Sequence, residues 1–212
     1  KYKKYAETYI DSQIGAIYEI LRSNNYIDEN NKLTEKGKIS CNIHEINNLV
    51  FSDLYETTNG FKKYSVSEIA SLLSIFYDIK ISDDYKSFVP SMLHDEVKSV
   101  NSLIDKYRNL EDFYQISTAN NYVTQYDMMN YVNEWIENVK TMEDAQGFLH
   151  KVKTEKGIFI GDFIKCCLKI CNICNELIVV GELNGNFEFV MKVKEIQNSL
   201  KKFIVSCDSL YV

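Results

Sequence analysis

An all-α helical bundle is the fold this sequence predicts, and three observations predict it. Apolar residues recur at helical spacing in nearly every long segment. Turn-forming residues are scarce, with eight Gly and one Pro among 212 residues. Sheet sandwiches lean on Gly, Pro, Asn-Gly and Asp-Gly turns. Only Asn59-Gly60 and Asn184-Gly185 are of that kind here. Finally, two long apolar-periodic segments flank Asn184-Gly185-Asn186 near the C-terminal end, the pattern of two antiparallel helices.

Each element has its own local reason. Ile10, Ile14, Ile17 and Leu21 fall on one stripe of a helix over about 3–23. Tyr26-Ile27 and Lys32-Leu33 flank the polar turn 28–31 and could pair as a tiny β-ribbon. Short helices are expected at 35–42 and 44–55, the second stopping near Asn59-Gly60. Ser65 and Glu68 form a capping box, each able to satisfy the other's free amide, and open an apolar helix over 69–77. Pro90 suits the first turn of a long helix to about 113, where its missing N–H costs nothing. Val132, Trp135, Ile136 and Val139 mark the next stripe, and Thr141 to Asp144 caps a short helix after it. In the last pair, Phe163, Cys167, Ile170, Cys174 and Leu177 form one stripe. Phe189, Val193, Ile196, Leu200, Phe203 and Cys207 form the other. Residues 1–32 read as a helix and ribbon leading into one compact bundle over 33–212.

Composition excludes several classes. With 45 % hydrophobic and 25 % charged residues, the chain is neither disordered nor fibrous. Its 24 basic residues against 30 acidic ones argue against a nucleic-acid binder that works by bulk charge. No apolar run approaches the ~18 residues of a membrane helix. The chain does not begin with Met and reads as a piece of a longer polypeptide. The six Cys are clustered, which points to a reducing, intracellular setting. No phosphate loop or dinucleotide-binding turn occurs. His44-Glu45 begins like a zinc-protease helix, but position 48 is Asn48. His94 and His150 read as solvated or capping groups. Cys166, Cys167, Cys171 and Cys174 invite a metal reading, yet no second Cys or His pair completes a tetrahedral site. Three of them fall on the apolar stripe, where Cys packs as a small hydrophobe.

The polar side of that helix is more informative. Lys165, Lys169, Asn172 and Glu176 recur at i, i+4, i+7 and i+11, which confines them to a strip about 60° wide. Between Lys151 and Lys169 there are five Lys against Glu155 and Asp162, a local excess of three positive charges. Such a strip can hold a phosphate backbone and reach base edges. An ordinary solvated helix face has the same spacing.

Five motifs resemble one family. Leu33-Thr34-Glu35-Lys36-Gly37-Lys38-Ile39 resembles the Leu-Thr-x-x-Gly-Arg-Val/Ala opening of the DSHCT domain, which ends DExH-box RNA helicases of the superkiller and exosome-cofactor type. The stretch from Ser67 to Ser74 is close to that family's Glu-Glu-Ile-Ala-Ala-Leu-Leu-Ser helix. Trp135 stands where the family has Tyr-x-Trp. Gly161 to Lys165 resembles Gly-Ser-Leu-Ile-Arg, and Val205 to Val212 resembles the terminal Val-x-Ala-x-Ser-Leu-Tyr-Leu.

The resemblance implies a non-catalytic bundle that braces helicase motor domains and guides single-stranded RNA along one ratchet helix. It places Val212 at the C-terminus of the parent. ATP and Mg²⁺ are implied for the parent motor only, with RNA, the motor domains and RNA-decay machinery as partners. The family's Arg-Leu-Glu-Glu falls on Lys169-Ile170-Cys171-Asn172, so Lys169 takes the Arg position and Asn172 the Glu position; Lys165 takes the Arg of the preceding motif. Lys lacks the planar fork of Arg, and Asn keeps hydrogen-bonding capacity without charge. The RNA-contact set is therefore Lys165, Lys169, Asn172 and Glu176. The rival reading is a protein-interaction bundle with no nucleic-acid contact, which requires an exposed apolar patch away from the strip.

Overall fold

The computed structural model describes residues 2–118 and 120–204, with side chains from residue 9 onward. Among the described residues there are nine helices: α1 (Tyr2–Ser23), α2 (Glu35–Ser40), α3 (Asn48–Thr57), α4 (Val66–Ser74), α5 (His94–Tyr114), α6 (Met129–Asn138), α7 (Met142–Lys156), α8 (Ile160–Leu183) and α9 (Phe187–Lys201). The expected ribbon is a single antiparallel bridge between Ile27 and Leu33. The fold is an all-α bundle, as its periodicity predicts. Val205 to Val212, including Cys207, lie outside the described residues.

Side-chain caps set most of the helix starts. Thr34 accepts from the Gly37 amide to open α2. Asn47 accepts from Val50 to open α3. Ser65 with Glu68 and Thr141 with Asp144 form capping boxes on α4 and α7. The second short helix begins at Asn48 rather than 44, because Asn47 takes the cap and leaves His44 to Ile46 as loop. Pro90 is not in the first turn of α5. That helix starts four residues later, after Leu93 in a left-handed conformation (φ 52°), with Asp95 and Glu96 at its positive end. The helix Thr141 opens is not short. It runs through His150 to Lys156 and ends on left-handed Gly157.

α8 and α9 form an antiparallel hairpin over which α4 packs, and α6 joins α4 to α9. Phe163, Cys167, Ile170, Cys174 and Leu177 of α8 are buried, as are Phe189, Val193, Ile196 and Leu200 of α9. Gly181 lets the two helices approach, since a Cβ there would lie 2.6 Å from Val190 Cγ2. Trp135 on α6 donates to the Ser199 carbonyl at 3.1 Å and packs with Phe148 and Phe163. Cys166, Cys167, Cys171 and Cys174 are all buried and free, so they fill the core rather than a surface site. Burial pushes each of these thiols up, away from the reactive thiolate.

A second group, α2, α3 and α5, is tied together by a buried charge. The Lys36 ammonium pairs with Asp53, donates to the Asn24 carbonyl at 3.0 Å and lies over the Tyr26 ring. Asp53 also accepts from the Tyr107 hydroxyl at 2.6 Å and from Lys106 at 3.2 Å. Burial alone would raise the Asp53 carboxyl, but Lys36, Tyr107 and Lys106 outweigh it and hold the group below its ordinary 3.8. α1 reaches the rest through α5. Its stripe behaves unlike the others: Ile10, Ile14 and Ile17 are exposed, together with Tyr9 and Tyr18, while Ile20 alone among the described side chains of α1 is fully buried.

Two predictions follow from this packing. A Cβ at Gly37 would lie 2.0 Å from the Tyr26 carbonyl oxygen, which is backbone and cannot yield cheaply. Gly37→Ala is expected to lower the unfolding free energy by about 1–3 kcal/mol, measured by urea denaturation. Asp53→Ala strands a buried ammonium and is expected to cost about 3–5 kcal/mol at neutral pH. Because the folded carboxyl is depressed, its contribution is complete above the ordinary value and is lost as pH falls below it. The gap between wild type and variant should therefore close in the acid limb of a pH-stability profile.

Candidate nucleic-acid interface

Half of the α8 circumference is committed to the core. The polar strip lies on the opposite side, and its members differ according to their angle from that core. Lys165 and Asn172 are exposed. Lys165 makes a loose ion pair with Asp162 one turn back, at 3.3 Å. Lys169 and Glu176 lie nearer the buried edge, are half-buried, and meet the loop between α2 and α3. The Lys169 ammonium donates to the Glu45 carbonyl at 2.7 Å and to the Glu45 carboxylate at 2.6 Å. Glu176 accepts from the backbone amides of His44 at 3.0 Å and Glu45 at 3.1 Å. Two residues seven apart on α8 thus clamp one loop, through three bonds to backbone groups and one to the Glu45 carboxylate.

The clamp shapes a cleft of about 270 Å³ beside the strip. His44, Glu45, Ile46 and Asn47 line it from the loop, Lys169 from α8, Phe76 from the end of α4, and Asn120, Asn121 and Val123 from the segment before α6. Asn47 is 6 % exposed; its Oδ1 caps α3, while its Nδ2 is buried with no hydrogen-bond partner among the described residues.

The lysine excess between 151 and 169 does not form a free basic patch. Lys151 pairs with Glu134 at 2.8 Å and Lys156 with Asp127 at 3.0 Å. Lys165 and Lys169 have Asp162 and Glu45, and Lys153 lies over the Phe159 ring. The neutralising acids mostly come from other segments, so a count along the chain could not register them.

All four strip residues share one accessible side of α8. Cleft residues His44, Glu45, Asn47, Phe76, Asn120 and Asn121 escape a reading by periodicity, because most sit on loops. The one available signal was the cap preference of Asn47, which places the preceding residues outside the helix.

A family model described as the DSHCT (NUC185) domain matches residues 30–207. The chain belongs to the DSHCT family. Among curated relatives, the antiviral helicase SKI2 of Saccharomyces cerevisiae is 25 % identical over 199 residues, 91 % of this chain and 15 % of the relative. The mRNA transport homolog 4 of Caenorhabditis elegans is 24 % identical over 201 residues, 91 % of this chain and 18 % of the relative. The DExH-box ATP-dependent RNA helicase DExH9 of Arabidopsis thaliana is 24 % identical over 209 residues, 94 % of this chain and 20 % of the relative. The chain spans a fifth or less of the length of these proteins. Among the described residues, no helix of this DSHCT domain is long and apolar enough to cross a membrane.

The clamp yields a direct prediction for the DSHCT domain. Hydrogen bonds to a charged acceptor contribute about 1.5–3 kcal/mol each. Glu176→Gln keeps the shape but weakens both bonds to the loop. Amide hydrogen exchange at His44 and Glu45 is expected to speed up by roughly tenfold, with exchange along α8 and α9 unchanged.

Proposed function

We propose that this DSHCT domain is the C-terminal accessory part of an ATP-dependent RNA helicase. In that role it guides single-stranded RNA along α8 and braces the motor domains of the same polypeptide. The observation that carries this reading is the outward strip of α8, with Lys165 and Asn172 exposed and Lys169 and Glu176 beside the cleft. The names of two relatives, one an antiviral helicase and one an RNA helicase, support the substrate class. ATP hydrolysis with Mg²⁺ belongs to the motor segments, outside these 212 residues. The buried free cysteines suit a reducing, intracellular setting.

The electrostatics define the manner of contact. A guiding surface must release the strand as readily as it meets it. Ion-paired lysines provide hydrogen-bond donors without the deep electrostatic hold of a bare basic patch. Lys165 and the Asn172 amide can meet phosphate, sugar or base edges, and the strand can move on. The exposed stripe on α1 supports the bracing role, because contiguous apolar surface marks protein contact. The same stripe favours the rival reading, a protein-interaction module that never touches RNA.

The discriminating experiment uses the whole helicase polypeptide. Lys165→Ala combined with Asn172→Ala disturbs neither the core nor the loop clamp. Duplex unwinding should slow by about five- to 150-fold, the loss of two hydrogen bonds at roughly 0.5–1.5 kcal/mol each, with the thermal unfolding midpoint unchanged. Unaltered unwinding together with unaltered RNA crosslinking would assign the bundle to protein contact alone.

A further inference from the structure

A hollow of about 180 Å³ lies between the end of α1, the Ile27–Leu33 bridge and α2, on a part of the domain that the RNA reading does not use. Leu21, Ile27, Leu33 and Leu49 give it apolar walls. Ser40 and Cys41 line the same space. Cys41 is exposed, whereas the other described cysteines are buried. Ser40 is 5 % exposed. A helical Ser often turns its hydroxyl back to the carbonyl four residues earlier, as Ser52 does to Asn48 at 2.7 Å and Ser71 to Ser67 at 2.8 Å. The Ser40 hydroxyl makes no such bond, nor any other among the described residues, and its oxygen is not one of the sealed, unpartnered atoms of the interior. It therefore keeps access to the hollow it lines. A buried donor left free beside an apolar space calls for an acceptor that arrives with an apolar group.

We propose that Cys41 accepts a short aliphatic acyl group from an acyl thioester, the acyl tail filling the hollow and the carbonyl oxygen accepting a hydrogen bond from the Ser40 hydroxyl. The Cys41 sulfur attacks the carbonyl carbon of the donor. A new carbon–sulfur bond forms, the donor's carbon–sulfur bond breaks, and the leaving thiolate takes the proton that Cys41 gives up. One thioester is exchanged for another, so the step needs neither oxidant nor reductant. The volume sets the chain length. At about 30 Å³ per water-sized group, the hollow has room for roughly six heavy atoms. A hexanoyl tail fills that space, and an acetyl group leaves most of it empty. Cys166, Cys167, Cys171 and Cys174 do not compete, because each is sealed in the core.

The test incubates the 212-residue chain with hexanoyl-coenzyme A or with acetyl-coenzyme A at pH 8. Adducts are mapped by mass spectrometry, and release by hydroxylamine marks a thioester. Cys41 is expected to gain the hexanoyl group at least about tenfold faster than the acetyl group, because only the longer tail brings apolar surface into the hollow. Ser40→Ala should slow hexanoylation by about fivefold, the size expected for one lost hydrogen bond. Leu33→Glu, at an exposed position, sets a carboxylate against the tail and should slow it by about tenfold. Alkylation of Cys41 by iodoacetamide should be unchanged in that variant, which keeps the test decisive should Ser40→Ala perturb the fold. No adduct on Cys41, equal rates for the two donors, or a hexanoylation rate unmoved by both variants would each overturn the proposal.

Discussion

The burial of one whole side of α8 is the constraint on which the rest depends. Ten residues of that helix are sealed against α9, α4 and their neighbours. A helix held so firmly cannot rotate, and its remaining polar residues are fixed in direction. Asn172 and Lys165 point away from the core; Lys169 and Glu176 meet the α2–α3 loop. That loop is in turn located by the buried Lys36–Asp53 pair, which ties α2 to α3 and, through Tyr107, to α5. The outer surface is thus the visible end of a chain of packing decisions made inside.

Charge is managed locally. The domain is acidic overall, and its lysine-rich stretch meets acids brought in from distant segments, Glu134, Asp127 and Glu45 among them. What remains on the α8 face is hydrogen-bonding capacity rather than net charge. A surface of that kind suits a strand in motion better than one that must be held.

The fold was largely legible in the sequence because burial of an apolar stripe enforces a 3.6-residue period. The α8–α9 hairpin, the two capping boxes and the Ile27–Leu33 bridge were all readable. The α1 stripe has the same period, yet Ile10, Ile14 and Ile17 are exposed. Periodicity reports that a face is apolar, not what covers it. Helix starts were misplaced where a cap or a left-handed residue decided them, at Asn47 and at Leu93. Of the candidate site, the strip was legible and the cleft was not. The strip is periodic on one element, whereas the cleft joins a loop, a helix end and a segment some 75 residues further on. The local lysine excess was a true count that misled, since its counter-ions come mostly from other parts of the chain.

The central claim, that the polar strip of α8 is a surface for single-stranded RNA, is tested most directly by lysine footprinting. Acetylation rates of Lys165 and of Lys38, an exposed lysine on a different helix, are compared with and without a single-stranded oligonucleotide. The account predicts selective protection of Lys165, with Lys38 unchanged. Equal reactivity of Lys165 in the two conditions would contradict it.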